Sequence, residues 1–182
     1  MGKHTVTATP FTAADAGGIA GKSKTIAFTL VREARINFQL TSTVTPTGYA
    51  ADSGAIFGSR GNGLSYGWNM DNTVNMRERK LLSDKLRDTL AHFNHTNDQA
   101  SRTWELALPN GTYKVHLVCG DPAFKDQLNH LQVEETGVRD PDGQDNFDEY
   151  TVTLAVTDGR LTIRPGSGAF NPKVCCLEVI GQ

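Results

Sequence analysis

The chain has 182 residues, a formal charge of −2 and a pI near 6.2. A domain of this size buries a full core without help from disulfides or metals, and the near-neutral balance removes the electrostatic basis for nucleic-acid binding. No apolar run reaches the roughly 18 residues of a membrane helix, so neither a nucleic-acid partner nor a membrane span is expected. The amino terminus, MGKHTVTATPFTAADAGG, lacks the charged-then-apolar layout of a signal peptide. That fits cytoplasmic synthesis or prior removal of a leader or neighbouring domains; an extracellular or cell-surface location follows if the chain is part of a secreted protein.

Residues 1–34 read as a lead-in or an extra strand pair, with KTIAFTLV placing Ile26, Phe28 and Leu30 on one face. In RINFQL, Ile36, Phe38 and Leu40 alternate with Arg35, Asn37 and Gln39. LSDKLRDTLAHF is the one helix candidate, from about Asp84 to His92. RTWELAL groups Trp104, Leu106 and Leu108, and TYKVHLVC groups Tyr113, Val115, Leu117 and Cys119. EYTVTLAV aligns Tyr150, Val152, Leu154 and Val156, RLTI adds Leu161 and Ile163, and KVCCLEVI is an apolar terminal strand. Alternation with period two marks half-buried antiparallel strands. Pro109-Asn110-Gly111 and Asp158-Gly159 separate such runs and predict hairpins, because these residues tolerate positive φ. The expected fold is all-β, an antiparallel β-sandwich of jelly-roll type over residues 35–182.

Catalytic signatures are scarce. The chain has no GxSxG elbow, P-loop or dinucleotide fingerprint. His92 and His95 lie three apart without an HExxH frame and read as polar residues at a helix end, while His116 alternates outward. Cys119, Cys175 and Cys176 read as buried reduced thiols; a bridge from Cys119 to one of the pair is the weaker option. The stretch RDPDGQDNFDEY gathers Asp140, Asp142 and Asp145, oxygen donors of the kind calcium takes, although the spacing is not that of an EF-hand and a solvated acidic turn is the favoured alternative. No cofactor is required, and structural Ca2+ on those three aspartates is the only candidate ion.

GNGLSYGWN, residues 61–69, is too rich in glycine for a helix and too aromatic for a plain linker. Its rings either plug the end of a core or form a platform. A pyranose offers an apolar C–H face to Tyr or Trp and hydroxyls to amide, carboxylate and guanidinium groups. Tyr49, Tyr66, Trp68, Arg77 and Arg79 contain both halves of that recognition. On a platform, Trp68→Ala spares the fold and removes binding; in a core it lowers the melting temperature.

The ordered set INFQ, GYAADSGAIFG, SYGWN, RER, WELALPNGTYKVHLVCGDP and VTDGRLTI resembles a malectin-like or galactose-binding-like module over roughly residues 35–180. The resemblance implies a jelly-roll sandwich without catalytic residues that binds carbohydrate through loops at one end. Transferred by motif, it implies Tyr49, Tyr66 and Trp68 as stacking rings, Asp121 in the GDP corner as the acidic partner, and Asn69, Arg77 and Arg79 as supporting donors. INFQ stands where better-known malectins carry an INCG-type opening, so the sugar does not follow. Asp121 reads equally as a turn brace, and Arg77 and Arg79 equally as partners of Asp52 or Asp71. Asp52 and Asp88 are open between loop bracing and ligand contact.

The expectation is therefore a non-catalytic carbohydrate-binding module for a glycan or polysaccharide, as a homo-oligomer or beside a catalytic domain. A structural, adhesion or virion-decoration module, a polysaccharide-active enzyme and a protein-binding module are the alternatives.

Overall fold

The computed structural model describes residues 3–29, 33–94, 100, 102–140 and 145–182. The expectations for Leu30, His95 and Asp142 lie outside these residues. The chain divides into two units, residues 1–32 and 33–182. In the first, β1 (Lys3–Ala8) and β2 (Lys24–Thr29) pair antiparallel with Val6 opposite Ile26 and Thr7 opposite Thr25. The threonine hydroxyls meet across the ladder at 2.8 Å, whereas Val6 and Ile26 remain exposed.

The second unit holds β3 (Glu33–Phe38), β4 (Ala50–Asp52), β5 (Gly58–Ser59), β6 (Ser65–Trp68), β7 (Met76–Glu78), β8 (Thr89–His92), β9 (Trp104–Ala107) and β10 (Gly111–Gly120). It continues with β11 (Leu131–Val133), β12 (Thr136–Val138), β13 (Phe147–Val156), β14 (Arg160–Pro165) and β15 (Lys173–Gly181). One sheet runs β13-β10-β15-β3-β4, with β8 pairing both β15 and β7. The other runs β12-β11-β14-β9-β6-β5. The pairs are antiparallel except β3 with β4, which is parallel. This is the expected β-sandwich. Its core lies between the inward faces: Ile36, Phe38, Val115, Leu117, Leu177 and Val179 from one sheet, Trp68, Trp104, Leu106, Leu131, Leu161 and Ile163 from the other.

Three expectations change. The two turn motifs do not close hairpins: β9 to β10 and β13 to β14 each cross from one sheet to the other. Alternating faces on either side of a tight turn fit both geometries, and here each pair buries its apolar side against the opposite sheet. The two crossings lie side by side, with Asn110 Nδ2 donating to Thr157 O at 2.7 Å and Leu108 N to Gly159 O at 3.0 Å. The helix shrinks to one turn, α1 (Lys85–Asp88), with Asp84 Oδ1 accepting from Leu86 N at the N-cap. From Thr89 the chain is extended, and His92, expected at an exposed helix end, is buried on β8. Finally, the polar face of β3 is covered. Asn37 Nδ2 donates to Gln39 Oε1 at 2.8 Å and Thr89 Oγ1 at 3.0 Å, and Gln39 Nε2 to Thr43 O at 2.7 Å, so both buried amide nitrogens find acceptors, whereas Asn37 Oδ1 has no partner among the described residues.

All three cysteines are free and buried. A bulge opposite Val118 and Cys119 on β10 inserts Cys175 into β15, and both Cys175 and Cys176 pack with Leu90 and Val118 in a small second cluster. Burial pushes the Cys176 thiol up to about 12, with Glu178 and Asp84 adding to the shift.

Candidate functional site

The rings of SYGW answer the choice between platform and core. Tyr66 and Trp68 are 1 % and 0 % exposed, so neither is available to stack on a ligand. Trp68 lies opposite Trp104 in the β6–β9 ladder and meets Phe93 edge-on at 4.9 Å, while Phe38 packs against both indoles at 6.0 and 5.4 Å. Their polar ends converge on Asp52. Trp68 Nε1 donates to Asp52 Oδ1 at 3.0 Å, Trp104 Nε1 to Oδ2 at 2.8 Å, and Gly54 N to Oδ1 at 2.8 Å. Desolvation raises the Asp52 pKa, and the donors from Trp104, Gly54 and Trp68 oppose it. Gly67 between the rings has φ +137, and a Cβ there would stand 2.6 Å from Ala55 O. Asp52 is therefore a core brace, and the stacking assignment of Tyr66 and Trp68 is corrected by their burial. Asp88 is also a brace: its carboxylate accepts from the backbone N–H groups of Lys80, Leu81 and Leu82 at 3.1, 2.7 and 2.9 Å, and from Lys85 Nζ.

Arg77, Arg79 and Asp121 do come together. A cleft of about 240 Å³ is lined by Arg77, Arg79, His92, Phe124, Asp126, Asn171 and Lys173. It is built by β7, the ends of β8 and β10 and the segments before β11 and β15. Asp121 lies fully buried beside it. Gly120 sets that corner: its φ is +133, a Cβ would fall 2.0 Å from Asn146 O, and Asp121 N donates to that same oxygen at 2.8 Å. Arg79 then forms a fork with Asp121, Nε to Oδ1 at 2.9 Å and Nη2 to Oδ2 at 2.5 Å. The expected alternatives, Asp52 and Asp71, are engaged elsewhere; Asp71 Oδ1 accepts from Thr73 N at 2.9 Å and Thr73 Oγ1 at 2.7 Å.

Lys173, 1 % exposed, is the third cation of the cleft, after Arg77 and Arg79. Its Nζ lies 3.3 Å from Asp121 Oδ2 and 2.6 Å from Asp126 Oδ1 and donates to Gln127 Oε1 at 2.9 Å, the compensation a buried ammonium needs. Partial burial works against ionising Asp126, but the hydrogen bond and charge of Lys173 outweigh it and hold the carboxyl below its ordinary value. Asn171 Nδ2 donates to Asp126 Oδ2 at 3.1 Å, and His92 Nδ1 lies 2.7 Å from Asn171 Oδ1. A linked chain from His92 through Asn171, Asp126, Lys173 and Asp121 to Arg79 thus fixes the polar wall. Phe124 stands at its edge, half exposed, with Arg79 Cζ 4.8 Å and Lys173 Nζ 5.7 Å from its ring centroid.

Phe124, Lys173, Asp126 and Asn171 escape sequence reasoning. Phe124 alone left a signal, a large apolar residue in the polar segment after GDP. The remaining candidates lie apart from this cleft. Tyr49 donates to Glu178 and lines a second cleft of about 230 Å³ with Arg87, His116, Glu149 and Cys176. Asn69 is exposed and its Oδ1 accepts from Thr103 N at 3.0 Å. Asp145 caps its own turn, with Phe147 N 3.3 Å from Oδ1. Asp140 is half-buried, and among the described residues no three Asp, Glu, His or Cys side chains converge on a metal-sized position.

No family model and no curated protein matches the chain. Several solved structures share its fold. Protein YxiM of Bacillus subtilis is 20% identical with a TM-score of 0.54, over 83% of this chain and 40% of that one. The plant receptor-like kinase FER is 15% identical with a TM-score of 0.54, over 83% and 42%. A calcium-binding mutant of β-glucuronidase 2 from Bacteroides uniformis is 13% identical with a TM-score of 0.54, over 99% and 22%. The chain thus spans less than half the length of each. At these identities the likeness is one of fold.

Proposed function

We propose that the chain is a non-catalytic carbohydrate-binding module whose ligand lies in the Phe124 cleft. The observation that carries the reading is the half-exposed Phe124 ring beside a wall of fixed guanidinium, carboxylate, amide and imidazole groups. The ring offers the C–H face of a sugar an apolar contact, and the partly exposed Arg77, Arg79 and Asp126, held in place by the buried wall, offer its hydroxyls donors and an acceptor. At about 240 Å³ the cleft falls below the roughly 300–1,000 Å³ of drug-sized ligand sites and suits a single ring. A β-glucuronidase among the proteins of similar fold agrees with a sugar-related role. The test is a glycan and polysaccharide array followed by calorimetry on wild type and Phe124→Ala. Binding falls at least tenfold in the variant while the melting temperature holds, because that ring is already half exposed. Undiminished binding by Phe124→Ala removes the assignment.

A second reading, an assembly module, is favoured by the hairpin unit, where Val6 and Ile26 on the two-stranded sheet and Ile19 in the connection between its strands are more than half exposed. A monomeric mass across a concentration series by light scattering rejects it.

A further inference from the structure

We propose that the sugar held in this cleft carries an anionic group, a uronate carboxylate or a sulfate ester, received by the Arg77 guanidinium; the inference rests on the carbohydrate reading above. The cleft brings three permanent cations, Arg77, Arg79 and Lys173, against two carboxylates, Asp121 and Asp126. Those carboxylates are committed. Asp121 takes both arms of the Arg79 fork and one approach of Lys173, and Asp126 takes Lys173 from the other side.

Arg77 is the cation left over. Its Nη1 donates to Val74 O at 2.7 Å and Met76 O at 2.8 Å, which fixes the guanidinium plane without neutralising it. Among the described residues no carboxylate forms an ion pair with it, and its Nε and Nη2 enter no hydrogen bond. Partial burial disfavours its charge, and the neighbouring Arg79 adds like-charge repulsion that Asp121 only partly offsets. A guanidinium in that setting gains most from a planar anion supplied by a ligand, since charge-assisted forks are roughly twice as strong as neutral hydrogen bonds. Phe124 on the same cleft gives such a ligand's ring an apolar seat, so that a charged sugar meets both halves of the site. A neutral sugar leaves Arg77 uncompensated and desolvated.

The experiment is calorimetry of the full chain with glucuronate- and galacturonate-containing oligosaccharides, sulfated galactose oligosaccharides, and their neutral glucose and galactose counterparts. At least one anionic series binds tenfold or more tightly than its neutral counterpart, and the series that does so identifies the group. Arg77→Gln abolishes that preference. Raising ionic strength from about 0.01 M to about 0.15 M shortens the screening length from about 30 Å to about 8 Å and weakens the anionic series alone, a check on wild type that does not depend on the variant folding. Equal binding of neutral and anionic sugars, or a preference that survives Arg77→Gln, overturns the inference and leaves the carbohydrate reading standing. Absence of binding by every sugar overturns both.

Discussion

At the scale of single residues, Asp52 and Trp68 show how a loop motif becomes a core. Two indoles that would otherwise bury unpaired N–H groups share one carboxylate, and the carboxylate's burial is tolerated because three donors face it. Trp68→Ala should therefore cost about 3–5 kcal/mol in chemical denaturation; a loss under about 1 kcal/mol contradicts the core assignment. Asp52 also ties stability to pH. A carboxyl whose pKa is raised by folding binds its proton more tightly in the native state, so its contribution is full below the ordinary value of 3.8 and is lost as pH climbs through the raised value. The stability of Asp52→Asn should vary less with pH above 3.8 than that of wild type, and should be lower by about 1–3 kcal/mol for the indole N–H left without an acceptor. Parallel stability–pH curves for the two proteins refute the assignment.

Among elements, the end of β10 does most to shape the site. Its bulged pairing with β15 and the positive φ of Gly120 turn the chain so that Asp121 faces Arg79 and Lys173 while Phe124 reaches the rim. Gly120→Ala would press a methyl onto Asn146 O, a backbone atom and not the end of a flexible side chain. A loss of roughly 3 kcal/mol or more is expected, measured by urea denaturation, with loss of any ligand binding in whatever folded protein remains. A variant within about 1 kcal/mol of wild type shows that the corner relaxes freely. The one-turn α1 works similarly on a smaller scale, since Asp88 gathers the N–H groups of residues 80–82 while Thr89 starts a strand.

For the whole molecule, the sandwich of residues 33–182 closes its core within itself, whereas an isolated two-stranded hairpin is marginally stable. Removal of residues 1–32 should leave a chain that unfolds in one cooperative thermal transition by calorimetry. Failure to fold assigns the hairpin unit a part in the sandwich's stability. The candidate cleft lies where segments of distant sequence meet: residues 77 and 79, 92, 121–126 and 171–173 converge only because β10 and β15 are neighbours and β8 pairs with β15.

The alternation of RINFQL, TYKVHLVC, EYTVTLAV and RLTI determined the strands and the all-β sandwich, because period two is a local property that a half-buried strand imposes on its own sequence. Composition around GNGLSYGWN put Arg77 and Arg79 among the candidates, and the resemblance to a malectin-like module added Asp121. What sequence left undecided was the side on which each feature would fall. Turn residues report a change of direction, and only packing made Pro109-Asn110 and Asp158-Gly159 cross between sheets. Glycine-flanked rings suit a surface and a core alike, and it was the partner strand carrying Trp104, with Asp52 beneath, that drew Tyr66 and Trp68 inside. Phe124, Asp126, Asn171 and Lys173 acquire a role only from one another, and no local pattern records a meeting between residues some fifty positions apart.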